Sequence, residues 1–342
     1  MRRVVLALLL VLAAAIALPP LWFAVFPVKP PSLSPAENFA TLASGARMHY
    51  VERGEGPAVV LVHGLPGQAS EWRETTELLA AHGRRAIALD RIGYGHSDAR
   101  AGDDFSYEAN ARELRELLAA LDLTDATVVG WSYGGGTALT AAHQEAMSAG
   151  EQRIARLVLV GSVGPSDGPS GPPPAFAAVF SVVIRWMRLI PPAGQWLQRT
   201  ISERAYSGQP QPAWWLPGVA ANMAQEKART AYVREGALAA AATLDSAGLD
   251  LPILVIHGDD DRLVPIGVGR ALASNNSHAE LVEVAGGSHM LPVTHAELLA
   301  DRIAVFSAPP PADEPVMLPG AEGNAPLEEP VEWMDSLAAR AR

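Results

Sequence analysis

Short apolar runs rich in β-branched residues alternate with amphipathic helical stretches along the middle of the chain. The apolar runs predict strands at 58–62, 85–89, 127–129, 156–160, 253–256 and 281–284. The amphipathic stretches predict helices at 71–81, 107–121, 137–147 and about 294–306. Because strand and helix follow each other in turn, the pattern predicts an α/β fold with a mostly parallel, doubly wound sheet and helices on both faces.

The alternation stops at Gly161 and resumes only at Ile253. The interval 164–247 begins with a stretch rich in Gly, Pro and Ser and then reads as mostly helical. We therefore predict a helical insertion into a core formed by 39–163 and 248–307. The insertion carries four tryptophans, which we expect either to line a substrate pocket or to pack the insertion on itself: Trp186, Trp196, Trp214 and Trp215.

The N-terminal segment 1–26 reads as a membrane signal. Arg2 and Arg3 precede an uncharged apolar run that ends at Phe26 and is interrupted only by Pro19 and Pro20. Two interpretations stay open: a signal peptide cleaved after Ala17, or an uncleaved anchor, which the length of the run favours because about 20 apolar residues cross a bilayer. Residues 27–38 contain four prolines and predict an extended spacer. The anchor interpretation places the folded domain outside the cytoplasm, in the periplasm or extracellular space, and cleavage would make the protein secreted.

The last segment, 308–342, is rich in proline and acidic residues. It holds seven carboxylates against two arginines. Such a composition buries too little apolar surface to offset the entropy of ordering, so we predict a disordered tail.

Charge and cysteine content narrow the classes of function. The formal net charge is −11, with no basic stripe, so we expect no nucleic-acid partner. The chain contains no cysteine, which excludes disulfides, thiolate metal sites and cysteine nucleophiles. His257, Asp259 and Asp261 are close in sequence, but no complementary ligand cluster accompanies them, so we expect neither a metal nor a cofactor.

The segment Gly130-Trp131-Ser132-Tyr133-Gly134 is the strongest chemical motif. It follows a predicted strand and precedes an alanine-rich helical stretch, which is the context of a serine held on a tight strand-to-helix turn. Glycines on both sides fit such a turn because larger side chains would clash there. Ser132 is therefore the candidate nucleophile.

A serine nucleophile needs a base and an acid, and both candidates follow in the chain. The strand at 253–256 runs into three consecutive aspartates, Asp259, Asp260 and Asp261, and spacing alone does not choose between them. Here the chain resembles the α/β-hydrolase family, in which the acid follows a glycine by three residues and precedes a proline by four. The resemblance selects Asp261, with Pro265 as the matching proline, and leaves Asp260 as the alternative acid.

The same resemblance implies the base and the oxyanion hole. The segment 285–290 is similar to the family's loop that bears the catalytic histidine, which implies His289 as the general base. The segment 63–67, His-Gly-Leu-Pro-Gly, is similar to the family's oxyanion loop. The resemblance therefore implies the backbone N–H groups of Leu65 and Tyr133 as oxyanion donors, with His63 and Gly64 supporting the loop. The glycine-rich turn at 90–97 is also similar to the family's and is interpreted as scaffold.

The resemblance covers about 39–306 outside the insertion, which falls where the family places its helical cap. It implies a serine hydrolase that cleaves carboxylic esters, with an apolar small-molecule or lipid-derived ester as the expected substrate. The same residues would serve a carbon–carbon bond hydrolase, a lactonase or a perhydrolase. A membrane-tethered, non-catalytic binding module is the alternative from a different class, because fold alone does not prove activity. The sequence does not determine the oligomeric state.

Overall fold

The computed structural model describes residues 38–308 except 101, 149, 166–190 and 240–243, and gives the backbone alone for 191–198 and 239. Eight strands form one sheet in the order β1-β2-β4-β3-β5-β6-β7-β8. β1 and β2 pair antiparallel, as do β2 and β4, and every other pair is parallel. The strands are β1 Asn38–Thr41, β2 Arg47–Arg53, β3 Ala58–Val62, β4 Arg85–Leu89, β5 Ala126–Trp131, β6 Ile154–Val160, β7 Ile253–Gly258 and β8 Ala279–Val284.

The helices cover both faces of the sheet, as the sequence pattern predicts. A short 3-10 helix, Ala69–Trp72, precedes the first α-helix. The α-helices are α1 Arg73–Ala81, α2 Tyr107–Ala120, α3 Tyr133–Ala146, α4 Pro191–Tyr206, α5 Trp215–Ala224, α6 Glu226–Ala239, α7 Ile266–Ser274, α8 Leu291–Thr294 and α9 Ala296–Phe306. Apolar side chains of α2, α3 and α7 pack on one face, and those of α1 and α9 pack on the other.

Each central strand contributes to both apolar layers because successive side chains point to opposite faces. In β3, Val60 and Val62 belong to the layer under α2 and α3, whereas Val59 and Leu61 belong to the layer under α1 and α9. All four are fully buried. This two-sided burial is why the strands read as continuous apolar runs, and it confirms the predicted doubly wound sheet.

One predicted helix boundary is wrong for a physical reason. Helix α3 begins at Tyr133, four residues before the predicted start at Thr137, because three glycines that disfavour a helix, 134–136, form its first turn. The predicted helix at about 294–306 corresponds to α9, which begins at Ala296 and ends at Phe306, and the short helix α8 precedes it. The strands β1 and β2 and the helix α7 were not predicted from the sequence.

In the described part of the interval between β6 and β7 lie the helices α4 to α6, within the predicted insertion; we call them the cap. The predicted membrane segment 1–26 and nearly all of the predicted spacer 27–38 and tail 308–342 lie outside the described residues; β1 begins at Asn38, the spacer's last residue, and the tail's first residue, Ala308, follows α9. Within 38–308 as described, no helix is long and apolar enough to span a bilayer.

Candidate active site

Ser132 lies on the turn that joins β5 to α3. Its backbone adopts a φ of 54° and a ψ of −119°, an uncommon conformation for a residue with a side chain. Two neighbouring glycines make the turn possible. A Cβ atom added to Gly130 would lie 2.4 Å from the carbonyl oxygen of Gly134, and one added to Gly134 would lie 2.4 Å from that of Val62. The turn therefore holds the serine at the carboxyl end of β5, beside the end of β3.

His289 lies between Ser132 and Asp261. Its Nε2 atom is 3.0 Å from the Ser132 Oγ, and its Nδ1 atom is 2.7 Å from the Asp261 Oδ2. All three residues are buried, with 5% to 9% of their surface exposed. The structure thus brings the three predicted residues into one hydrogen-bonded chain, from carboxylate through imidazole to hydroxyl.

The Asp261 carboxylate is held by three donors. Its Oδ1 accepts the backbone N–H groups of Leu263, at 2.9 Å, and Val264, at 2.8 Å, while its Oδ2 faces His289. Burial alone would raise the pKa of Asp261, but the hydrogen bond with His289 and the two backbone donors lower that pKa below its ordinary value. Asp261 is therefore ionised near neutral pH and can hold the Nδ1 proton of His289.

The other two aspartates point elsewhere. Asp260 forms a bidentate pair with Arg262, with both N–O distances at 3.0 Å, and both side chains are exposed. Asp259 accepts the backbone N–H of Gly286 at 2.7 Å. The geometry therefore places Asp261, and neither of its neighbours, against His289.

Two contacts that sequence reasoning missed fix the loop of His289. The indole N–H of Trp131, the residue before the serine, donates to the His289 carbonyl at 2.8 Å. Gly258 and Gly287 lie against each other, since a Cβ atom on Gly258 would be 2.1 Å from the Gly287 carbonyl oxygen. The glycine spacing in 285–288 is a signal of this close approach, whereas nothing in the sequence identifies Trp131 as a donor.

The predicted oxyanion loop lies next to the serine. A Cβ atom on Gly64 would be 3.0 Å from the Ser132 Cβ. Leu65 follows Gly64 directly, and Tyr133 is the first residue of α3, where a helix leaves its N–H groups without intrahelical acceptors. The N–H groups of Leu65 and Tyr133 therefore belong to the two segments that border Ser132.

His63 stabilises this loop through hydrogen bonds of both ring nitrogens. Its Nε2 accepts the backbone N–H of Arg91 at 3.0 Å, which assigns the ring proton to Nδ1, and Nδ1 donates to the Gly64 carbonyl at 2.8 Å. Burial, with a contribution from the Arg91 guanidinium, lowers the pKa of His63 to about 3. His63 is thus a neutral side chain with both nitrogens engaged, which fits loop support and leaves no nitrogen for a second base.

The turn at 90–97 is densely hydrogen-bonded. The Asp90 carboxylate lies 2.7 Å from the His49 Nδ1 and accepts the backbone N–H groups of Ala69, at 2.7 Å, and His96, at 2.8 Å. Arg91 is buried and pairs with Glu235 of the cap. From the sequence this turn was predicted to be scaffold, and Glu235 was not identified.

The described cap tryptophans pack against the body of the protein. Trp215 is buried with its ring 5.1 Å from that of Tyr206, and Trp214 stacks under the Arg73 guanidinium at 3.9 Å. Both belong to the apolar layer that contains Trp131. Trp186 and the side chain of Trp196 lie outside the described residues. Trp214 and Trp215 therefore hold the cap on the sheet domain.

A second hydrogen bond system joins cap and core near the oxyanion loop. The Asn222 amide donates to the Gly67 carbonyl at 2.8 Å and accepts the Gly95 N–H at 3.0 Å.

In the described part of the chain, no group of three or more histidine or acidic side chains is placed to hold a metal ion.

The chain is similar to a large family of enzymes. The profile of the family described as "alpha/beta hydrolase fold" matches residues 57–296. A non-heme chloroperoxidase from Kitasatospora aureofaciens is 30% identical over 261 residues, which cover 73% of this chain and 90% of that protein. A 2-hydroxy-6-oxononadienedioate/2-hydroxy-6-oxononatrienedioate hydrolase from Paraburkholderia xenovorans is 29% identical over 273 residues, which cover 77% of this chain and 91% of that protein.

The solved structures agree on the fold. An esterase from Exiguobacterium antarcticum superposes with a TM-score of 0.62 at 22% identity, covering 79% of this chain and 98% of that one. At that identity the likeness concerns the fold alone.

Proposed function

Because the chain belongs to the α/β-hydrolase fold family, we propose that it is a serine hydrolase with Ser132 as nucleophile, His289 as general base and Asp261 as the acid that orients His289. The observation that carries the proposal is the hydrogen-bonded chain of 2.7 Å and 3.0 Å through the two nitrogens of His289. A serine hydroxyl is a weak nucleophile, and this arrangement is the one that activates it.

The proposed reaction proceeds in two halves. In the first, His289 Nε2 takes the Ser132 proton as Oγ attacks the ester carbonyl, and then gives that proton to the departing alcohol. In the second, His289 takes a proton from water, the hydroxide attacks the acyl-serine carbonyl, and the proton returns to Ser132 as the carboxylic acid leaves. The ionised Asp261 holds Nδ1–H and stabilises the imidazolium in both halves.

Each attack places a negative charge on the carbonyl oxygen. We assign its stabilisation to the backbone N–H groups of Leu65 and Tyr133, with His63 and Gly64 holding the first of them in place. The support for this assignment is their position on the two segments that border Ser132. Backbone donors fixed before the reaction reorganise little as charge develops, which makes them effective.

A small carboxylic ester is the proposed substrate, because ester hydrolysis needs nothing beyond these groups. The relatives named above also favour a second candidate set, a perhydrolase or a carbon–carbon bond hydrolase, which would use the same serine and histidine. Trp214 and Trp215 pack the cap on the core, and this packing does not by itself select an acyl group.

Substrate class is tested by assaying the purified protein on three panels. These are p-nitrophenyl esters of increasing acyl length, a 2-hydroxy-6-oxodienoate, and acetate with hydrogen peroxide and bromide. We expect the highest kcat/KM on an ester, and a fall in kcat of about 10⁴- to 10⁶-fold for the Ser132→Ala variant on any panel that the wild-type protein turns over. Turnover confined to the dienoate or to the peroxide mixture would replace the esterase assignment, and a folded protein inert on all three would support a non-catalytic binding module.

We also propose that residues 1–26 attach the protein to a membrane with the hydrolase outside the cytoplasm. The support is the basic start and apolar run in the sequence. Fractionation of cells that express the full chain and a variant lacking 1–26 tests it: the full chain should sediment with membranes and the shortened chain should not. Equal partition of the two would contradict the proposal.

A further inference from the structure

The guanidinium of Arg91 is buried beneath the oxyanion loop. Its Nη2 donates to the Gly64 carbonyl oxygen at 3.0 Å, and its Cζ lies 4.6 Å from the centre of the Tyr133 ring. Only 2% of the residue is exposed. One cation therefore touches both segments from which the proposed oxyanion donors come.

The contact with Gly64 bears directly on a donor. The Gly64 carbonyl and the Leu65 N–H belong to the same peptide unit, which is planar, so the direction of the C=O fixes the direction of the N–H. His63 Nδ1 also donates to this oxygen, at 2.8 Å. Two donors on one carbonyl oxygen thus orient the Leu65 N–H on the opposite side of the peptide, and a cationic donor also polarises it.

The Tyr133 ring is held from two sides. Besides the Arg91 guanidinium, the Tyr107 ring stacks on it with a centroid distance of 4.2 Å and an interplanar angle of 18°. The Tyr133 hydroxyl donates to the Phe105 carbonyl at 3.2 Å. The residue that carries the second proposed donor is therefore fixed at its ring and at its hydroxyl.

The counter-ion of Arg91 comes from the cap. Glu235 of α6 is fully buried; its Oε1 accepts from Arg91 Nη1 in a short hydrogen bond and its Oε2 lies 3.3 Å from Nη2. The Tyr94 hydroxyl, at 2.7 Å, and the Asn110 amide, at 3.2 Å, donate to the same carboxylate. Arg91 therefore keeps its paired position only while α6 is seated on the core.

Further contacts near Arg91 fix α6 against the core. A Cβ atom on Gly93 would be 2.8 Å from the Ala231 Cβ, so helix and loop approach closely near Arg91. Arg234, next to Glu235, donates to the Asp103 carbonyl at 2.8 Å. These contacts place Glu235 on a face of α6 that is already fixed against the core.

We propose that Arg91 and Glu235 are positioning residues for the oxyanion hole: the buried pair orients the Gly64–Leu65 peptide and thereby couples the seating of the cap to stabilisation of the transition state. The inference rests on the proposed function, because it assigns a role only if Leu65 N–H receives an oxyanion. It predicts that damage to the pair lowers kcat while leaving KM nearly unchanged, since the loss concerns charge that develops in the transition state.

The choice of variants follows from the burial of the pair. Removing one partner leaves an unpaired buried charge and strongly destabilises a protein, whereas replacing both with apolar residues is often tolerated. The informative variants are the double substitution Arg91→Met with Glu235→Met, which leaves no unpaired charge, and Glu235→Gln, which removes the negative charge but keeps a side-chain oxygen that can accept from Arg91. The control is Arg270→Met with Glu283→Met, which removes an exposed bidentate pair with both distances at 2.7 Å.

The experiment measures kcat and KM on the best p-nitrophenyl ester and the Ki of an arylboronic acid, which forms a tetrahedral adduct with an active serine. A fluorophosphonate counts the active sites, and a thermal melt checks folding. In the double variant we expect kcat to fall about 10- to 100-fold, with boronate affinity falling in parallel and KM within about threefold of wild type. Glu235→Gln should also lower kcat and boronate affinity with KM nearly unchanged, but by a smaller factor. The control double variant should match the wild-type protein.

Three outcomes would overturn the inference. They are an unchanged kcat in the folded double variant, a rise in KM with kcat preserved, and a loss explained entirely by fewer active sites. If the double variant does not fold, Glu235→Gln decides by the same criteria. A wild-type protein that neither labels nor hydrolyses any ester would instead overturn the proposed function, and this inference would fall with it.

Discussion

The Oδ2 atom of Asp261 lies 2.7 Å from the Nδ1 atom of His289, while the carboxylate of Asp260, one residue earlier, pairs with Arg262 at the surface. The two aspartates are adjacent in sequence and face opposite environments. The two backbone donors and the hydrogen bond with His289 keep Asp261 an anion although it is buried. This relationship gives a paired experiment in which one substitution should matter and its neighbour should not.

Asp261→Asn should lower kcat by about 10⁴-fold, because asparagine in that position favours the wrong tautomer of the histidine. Asp260→Asn should stay within about twofold of wild type, since its ion pair with Arg262 is exposed and such pairs contribute little. Both variants keep the shape of the side chain. Steady-state kinetics on one ester measure the two effects.

The contrary result for this pair is a large loss in Asp260→Asn with activity retained in Asp261→Asn. That outcome would assign the role of the triad acid to Asp260 instead of Asp261. Equal losses in both would indicate that the whole turn at 258–264, and not one carboxylate, controls His289.

Gly134→Ala should disrupt the turn of the serine. The new Cβ atom would lie 2.4 Å from the Val62 carbonyl oxygen and 2.6 Å from that of His63, both backbone atoms that cannot rotate away. We expect a loss of at least about 2 kcal/mol in the free energy of unfolding, and a fall in kcat as Ser132 moves. Denaturant unfolding and ester kinetics measure the two changes.

Gly236→Ala is the matched control, because it lies in helix α6 and an added Cβ atom meets nothing within 4 Å. Replacing a helical glycine by alanine should raise the free energy of unfolding by about 0.5–1 kcal/mol without changing kcat. Equal stability changes in the two variants would contradict the close approach of α3 to the end of β3.

Titration of the buried Glu71 carboxyl should lower the free energy of unfolding as pH rises. Burial raises the pKa of Glu71 to about 8, opposed by the backbone N–H of Gln68, which donates to the carboxylate at 3.2 Å. Between the unfolded pKa, near 4.5, and about 8, the folded state retains a proton that the unfolded state has lost. The associated stabilisation is complete below pH 4.5 and is lost as pH rises through about 8.

Glu71→Gln removes this titration and keeps the shape of the side chain. Relative to wild type, the variant should gain roughly 4 kcal/mol in the free energy of unfolding between about pH 4 and pH 9. Guanidinium unfolding of both proteins at the two pH values gives the difference, in which all other titrating groups cancel. The same wild-type-to-variant difference at both pH values would show that Glu71 titrates normally.

The local pattern of apolar residues predicts the strands that are buried on both faces of the sheet. The strands β3 and β4 have the predicted bounds, because their side chains are apolar on both sides of the sheet. β1 and β2 were missed because they form the antiparallel edge: in β2, Arg47 and Arg53 are exposed while Met48 and His49 are buried, so no apolar run marks the strand. The early start of α3 was missed because the need for glycine there comes from β3, which is distant in sequence.

The residues of the site also fall into those that a local motif identifies and those that only the folded structure brings together. Ser132, Asp261 and His289 were predicted because each stands in a short motif at the end of a strand. Glu235 stands in no motif: it lies 144 positions from Arg91, and only the folded cap brings the two together. Trp131 likewise acts through its indole N–H on a carbonyl 158 residues away. Interactions of this kind depend on tertiary packing, so a single sequence does not indicate them.

The most direct test of the serine-hydrolase proposal is to label the full chain with a fluorophosphonate and locate the adduct by mass spectrometry, beside Ser132→Ala. We expect one adduct, on Ser132, loss of labelling in the variant, and a fall in ester kcat of about 10⁴- to 10⁶-fold in a variant that still folds. A folded wild-type protein that takes up no label, or an adduct on another residue with activity preserved in Ser132→Ala, would contradict it.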